Sequence, residues 1–462
     1  MKKLISLITL ISVIAMLLAG CGNADTANRE PQPQGNETNS ENEKNEDEID
    51  LNGVKITFWH SMGGVNGEAV TYLVDKFNKE NEFGISVEQE YQGSYDDAIN
   101  KLKSAKIGNM GADLVQVYDI GSRFMIDSGW VVTMQELIDA DGWDINQIEP
   151  NIAAYYTIDN RLYSMPFNSS TPLLYYNKDI FNKAGVAEVP DSLPAIEAVS
   201  EKLINEGGAQ EAISLATYGW FFEQFTCKQG LHYVDNGNGR ENPATKVVFD
   251  SNGAAKNILE AWNSLAEKGY APNMGRGGDS GVPDFVAGKS AMTLASTANL
   301  KQILNDVGGN FEVGTAYLPK IKDSDKGGVS IGGGSLWALN NEDAAKKAAT
   351  WEFVKFLVSP ESQAYWNTQT GYFPITVASH DEPVFKENIE KYPQFQTAID
   401  QLHDSNPESA GALLSVFPES RAIVETQIEN MLNGVSTVDD AVEGMTNEIN
   451  KAIENYNLIN KK

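Results

Sequence analysis

The sequence predicts an α/β layer fold, with 462 residues that are long enough for more than one core. Two further observations carry that reading: strand-like and helix-like periodicities alternate from Val54 onward, and the C-terminal part turns helical. In "VKITFWH", Val54, Ile56 and Phe58 fall on one face, the period of a half-buried strand. "GEAVTYLVDKFNKEN" then sets Val70, Leu73, Val74 and Phe77 at helical spacing. A second strand in "ISVEQEY", a helix over 95–107 and the apolar "DLVQVYD" complete a β-α-β-α-β alternation. Farther along, "SAMTLAS" (290–296), "FEVGTAYLP" (311–319) and "GGSLWALN" (333–340) are strand-like pieces among helical stretches. Trp351, Val354 and Val358 mark one helix, and Ser359-Pro360 starts another as N-cap and first position, ended by Gly371. The last helices carry Val424, Ile428 and Met431, then Val442, Met445, Ile449 and Ile453.

The N-terminal end reads differently. Lys2 and Lys3 precede a nearly all-apolar run from Leu4 to Leu18, and small residues lead into Cys21, the pattern of an export signal over 1–20. Cys21 directly after Leu-Ala-Gly resembles a bacterial lipobox, in which the cysteine is acylated. Cys227 is the one other cysteine, so a lipidated mature chain has no internal disulfide. Residues 21–50 are mostly Asn, Glu, Pro, Gly and Gln and cannot bury enough surface to offset their ordering entropy, which makes them a disordered tether. The formal net charge of −29 argues against nucleic-acid binding, and it leaves any anionic ligand to be captured by local groups against the overall field.

The stretch "YSMPFNSSTPLLYYNKD" (163–179) poses a separate question. Met165, Phe167, Leu173, Leu174, Tyr175 and Tyr176 read as buried strand, yet Asn168, Ser169, Ser170 and Thr171 interrupt them, and Pro172 blocks a continuous ladder. A buried polar group left unpaired costs about 1–3 kcal/mol. These side chains therefore need partners, and a ligand is one candidate.

"ITFWHSM", "QVYDIG", "PFNSSTPLLYYNKD", "GKSAMTLAS", "IGGGSLWAL" and "TGYFPIT" together resemble the extracytoplasmic solute-binding proteins of ABC importers, from about residue 54 to the C-terminus. Within them, "FWHSM", "PFNSSTP" and "TGYFPIT" resemble the branch that binds sn-glycerol 3-phosphate and glycerophosphodiesters. The resemblance implies a two-lobe, type II periplasmic-binding-protein-like fold, hinge-connected, with the ligand in a cleft between lobes. Lobe one takes 51–168 and 333–373, lobe two 169–332 and 374–462, and "PFNSSTP" crosses at the cleft floor with its polar side chains facing a ligand. It implies a monomeric lipoprotein on the extracytoplasmic face of the membrane, passing its ligand to permease subunits, with no enzymatic activity, cofactor or metal.

The same resemblance supplies site residues. Tyr95 matches a tyrosine at the glycerol end, and Asp119 stands where relatives carry glutamate. Ser170 and Ser296 match hydroxyl donors, Gly333 a backbone contact, and Tyr372 a phenol contact. Arg421, in "FPESR", matches an arginine gripping the phosphate, where a guanidinium could give a bidentate fork. Each has a plainer reading: Arg421 as an ion-pair partner, Tyr95 and Tyr372 as rim aromatics, the Gly333 run as a turn, Asp119 as a helix cap. Leu193 stands where many members carry Trp; a smaller residue there would widen the cleft for a diester such as glycerophosphocholine. Trp220 would then meet the choline cation. His60, in "FWHSM", lies close to the expected cleft and is a candidate selectivity position, structural rather than catalytic. Two rivals remain. One is an oligosaccharide binder on the same fold; the other is a secreted glycerophosphodiester hydrolase, which the scattered His60, His232, His380 and His403 do not support.

Overall fold

The computed structural model describes residues 49–108, 111–406 and 410–460. The export signal, Cys21 and nearly all of the tether lie outside the described residues.

Two sheets organise the rest. The first runs Ser86–Tyr91, Lys55–His60, Leu114–Tyr118, Gly332–Leu339, Val131–Val132, with Met165–Ser170 also paired to Gly332–Leu339. Its first three strands are parallel, and Gly332–Leu339 returns antiparallel. The parallel strands are joined by helices Gly64–Glu80 and Tyr95–Ile107, as the alternation predicted. Ser94 caps the second of these in a reciprocal capping box with Asp97. The second sheet runs Asn273–Arg276, Glu211–Thr217, Ser290–Ser296, Pro172–Asn177, Val313–Tyr317. Ser359 caps the helix Pro360–Thr370, which stops at Gly371 in the left-handed region (φ 103°). Helices Phe417–Leu432 and Val438–Ile459 pack on each other and close the second sheet's side.

A single residue, Thr171, carries the chain from the first sheet into the second. Pro172 opens the second-sheet strand, a position that requires no ladder N–H. Gln401 fastens this passage: its amide donates to the Thr171 hydroxyl (3.0 Å) and the Pro172 carbonyl (2.8 Å), and its oxygen accepts from the Leu318 N–H (2.6 Å). The four polar side chains of the crossing therefore have different fates. The Asn168 amide lies 2.8 Å from the Tyr95 phenol and 2.7 Å from the Gln116 amide. Ser169 lies beside the Tyr156 phenol, and Thr171 is taken by Gln401. Only Ser170 lines the cleft. The expectation that the whole set faces a ligand is corrected accordingly: strand alternation and protein partners account for three of the four.

Gly333 lies opposite the crossing with φ 90°, and a Cβ there would stand 1.9 Å from the Asn168 carbonyl oxygen. No other residue fits.

Gln401→Ala strands the buried Leu318 N–H and Pro172 carbonyl together. Urea unfolding should show a loss of roughly 2–5 kcal/mol; a loss below about 1 kcal/mol would mean the crossing is held by other contacts.

Candidate functional site

Between the sheets lies a cavity of about 480 Å³, lined from both sides. Tyr95, Asp119, Ser170, Ser296, Gly333, Tyr372, Arg421 and Trp220 all reach it. Asp119 sits at the carboxyl end of strand Leu114–Tyr118, where a ligand cleft in an open α/β sheet is expected. Ser296 ends strand Ser290–Ser296; its hydroxyl oxygen caps the following turn by accepting from the Ala298 N–H (3.1 Å) and keeps its proton to donate. Ser170 is buried and makes no side-chain hydrogen bond within the described residues, which leaves its hydroxyl for a ligand.

Three phenols assemble at one wall. Tyr95 stacks on Tyr118 with ring centroids 5.1 Å apart, and Tyr118 donates to Asp96 (2.6 Å). The Tyr372 phenol hydrogen-bonds with Asn168 and Tyr95. Burial raises the pKa of both Tyr95 and Tyr372, so both remain neutral donors.

Arg421 is buried on helix Phe417–Leu432. Its Nε and Nη2 donate to the two carboxylate oxygens of Glu223 at 2.8 and 2.7 Å, and Nη2 also lies 3.5 Å from Asp119. The fork assigned to phosphate is thus occupied by Glu223. Nη1 remains, 3.5 Å from the Tyr218 hydroxyl. Burial raises the pKa of the Asp119 and Glu223 carboxyls, and the Arg421 charge opposes that rise in both. Gly219 makes the cluster possible, since a Cβ there would stand 2.5 Å from Arg421 Cγ. Its N–H donates to Glu425 (3.0 Å), which pins the helix carrying Glu223 against that carrying Arg421.

Two residues read as selectivity positions lie elsewhere. Leu193 opens helix Leu193–Asn205 and is buried in the core with Ile180, Phe181 and Ile196; it does not line the cleft, so its size cannot widen it. His60 continues the buried face of Ile56 and Phe58, and its Nδ1 accepts from the Met62 N–H (3.2 Å). Burial lowers its pKa to about 4, which suits a neutral structural imidazole. Ser61 and Met62, next to it, do reach the cleft. Glu223, Tyr218 and Asp279 were not anticipated. Cys227 is a buried free thiol whose pKa burial pushes up to about 11.

Two sheet-based lobes, a one-residue crossing and a polar cleft between them define a type II solute-binding protein. The chain belongs to the bacterial extracellular solute-binding protein family, whose model matches residues 72–397. It is 31% identical over 412 residues to the sn-glycerol-3-phosphate-binding periplasmic protein UgpB of Pectobacterium atrosepticum, covering 87% of this chain and 91% of that one. UgpB of Escherichia coli (strain K12) is also 31% identical, over 414 residues, with 87% and 93% covered. Among solved structures, UgpB from Mycobacterium tuberculosis in complex with glycerophosphocholine superposes with a TM-score of 0.74 at 23% identity, over 87% of this chain and 99% of that one. The sugar-binding protein MalE of Xanthomonas citri gives 0.72 at 20% identity, over 88% and 100%. Membership makes the chain an extracytoplasmic binding protein of an ABC importer rather than an enzyme. No described helix is long and apolar enough to cross a membrane.

Because Glu223 is buried against Arg421, Arg421→Met leaves an unpaired carboxylate in the interior. Denaturant unfolding should show a loss of about 3–5 kcal/mol, most of it recovered in the double variant with Glu223→Met. A single variant as stable as the wild type would refute this account of the cluster.

Proposed function

We propose that the protein captures a glycerol phosphate ester, sn-glycerol 3-phosphate or a diester such as glycerophosphocholine, by hinge closure and delivers it to a membrane permease. The observation that carries this reading is a cleft lined by two kinds of polar group. Arg421 Nη1 and Asp119 offer a donor beside an acceptor, the complement of two neighbouring hydroxyls. Tyr95, Tyr372, Ser170 and Ser296 offer neutral donors suited to phosphate oxygens. The phosphate is thus assigned to the hydroxyls and the glycerol to the Asp119–Arg421 pair. The names of the two curated relatives agree with this substrate class.

The two lobes, 51–168 with 333–373 and 169–332 with 374–462, would close over the ligand because it bonds groups on both. The 1–20 signal, acylation of Cys21 and the 21–50 tether would hold the monomeric body at the outer face of the membrane. The oligosaccharide reading draws on Tyr218 and Trp220 in the cleft and on the likeness to MalE.

Isothermal titration calorimetry separates the two. At least one phosphate ester should bind at micromolar Kd or tighter, about −8 kcal/mol, and maltotriose should not. Ser170→Ala should weaken the ester about 3- to 10-fold, the worth of one neutral hydrogen bond. Maltotriose binding without ester binding would overturn the proposal.

A further inference from the structure

We propose that Asp127 is a remote positioning residue for ligand capture: bonded to Ser415 and Tyr456, it straps the two walls of the cleft together. This rests on the reading of the cleft as a site where a ligand bonds groups on both sides, and it adds a contact that no ligand touches.

Asp127 lies near the end of helix Ser122–Ser128, which continues directly from the turn carrying Asp119; the Ser122 N–H donates to the Asp119 carbonyl. The two oxygens of its carboxylate have separate partners. Oδ1 accepts from Arg123 on the same helix, at 3.0 Å from Nε and 2.8 Å from Nη2. Oδ2 accepts from the Ser415 hydroxyl at 3.0 Å and from the Tyr456 phenol at 2.9 Å. Ser415 stands just ahead of helix Phe417–Leu432, which carries Arg421, and Tyr456 lies on helix Val438–Ile459, packed against it. The segment that brings Asp119 to the cleft is therefore tied to the two helices that bring Arg421 there. None of the three strap residues lines the cleft. They line a second cavity, of about 610 Å³, with Arg123 and Gly129 on one side and Thr245 on the other.

Of the two links between these bodies, the strap is the firmer. Asp119 meets Arg421 through one contact at 3.5 Å, longer than a charge-assisted hydrogen bond, whereas Asp127 receives two bonds of normal length. The Asp127 side chain is only 25% exposed, so water has limited access to compete for its oxygens. Burial and the Asp127 carboxylate raise the Tyr456 pKa, and the phenol stays a donor. A ligand that must bond both walls finds its site only in molecules whose walls are together. Its apparent Kd is the intrinsic Kd divided by that fraction. The strap sets the fraction without meeting the ligand. Removing the two donors leaves Asp127 paired with Arg123, so no bare charge is created on helix Ser122–Ser128.

The test titrates sn-glycerol 3-phosphate and glycerophosphocholine by calorimetry into the wild type, Ser415→Thr, Tyr456→Phe and the double variant Ser415→Ala with Tyr456→Phe. The double variant should weaken every ester that the wild type binds by the same factor, about 5- to 30-fold, with Tyr456→Phe in between. Ser415→Thr keeps the hydroxyl and should bind as the wild type does. Small-angle X-ray scattering gives a readout that lost stability alone would not move. The ligand-free double variant should show a larger radius of gyration than the wild type, restored by saturating ester. Unchanged affinity, an unequal loss between the two esters, or an unchanged radius of gyration would overturn the inference and leave the phosphate-ester reading intact. If the wild type binds neither ester, that reading falls and scattering alone decides the strap: equal radii for wild type and double variant overturn it, a larger radius in the variant supports it.

Discussion

The cleft depends on one buried arrangement, the guanidinium of Arg421 held between the carboxylates of Glu223 and Asp119. Taking three charges out of water costs several kcal/mol for each ion, and their attraction offsets this only when geometry and additional hydrogen bonds are good. Here the fork to Glu223 is short and two-pronged, whereas the contact to Asp119 is single and longer. The first is set between helices Gly219–Lys228 and Phe417–Leu432. The second spans from those helices to the end of a first-sheet strand. Gly219 is the steric condition for all of it, because any side chain there would push the two helices apart.

The crossing segment meets the same demand by different means. Strand alternation sends Asn168 and Ser170 to one face and Ser169 to the other. Asn168 uses its face to hold the Tyr95 and Tyr372 phenols, so the groups presented to the cleft are oriented from behind by a residue that does not line it. Ser170, one step farther along the same face, comes to the surface of the cavity. A run of four small polar residues thus divides into a support (Asn168), a cleft group (Ser170), a fastening to Gln401 (Thr171) and an interior hydroxyl (Ser169) beside Tyr156.

Much of this was legible in the chain. Periodicity located the strands and helices of the first sheet, and the Ser359-Pro360 and Gly371 signals fell on a helix start and stop because capping is a local matter. The cleft residues were legible only through the family resemblance, since Tyr95, Asp119, Ser170, Ser296, Tyr372 and Arg421 are far apart in sequence and meet only after folding. Glu223 went unread, although "GWFFEQF" carries a signal. A glutamate within an aromatic helical run is buried on any face and requires a cation. Leu193 was misplaced because a short local match cannot say whether a helix's first residue points to the cleft or the core. His60 was legible as structural, since it continues the alternation of Ile56 and Phe58.

The unequal contacts of Arg421 bear on how closure would be driven. A ligand can favour the closed form only by contacts it makes there and not in the open one. The Glu223 fork joins helices Gly219–Lys228 and Phe417–Leu432 on the same side of the cleft, so it would add little to such a difference. The Asp119–Arg421 separation of 3.5 Å spans the two sides and exceeds the 2.7–2.9 Å of a charge-assisted hydrogen bond. A hydroxyl placed between them would accept from Nη1 or Nη2 and donate to the carboxylate, replacing one long contact with two short ones. Those two bonds would require both sides to be close, as would bonds to a group held by Tyr95 and Tyr372 on one side and Ser296 on the other.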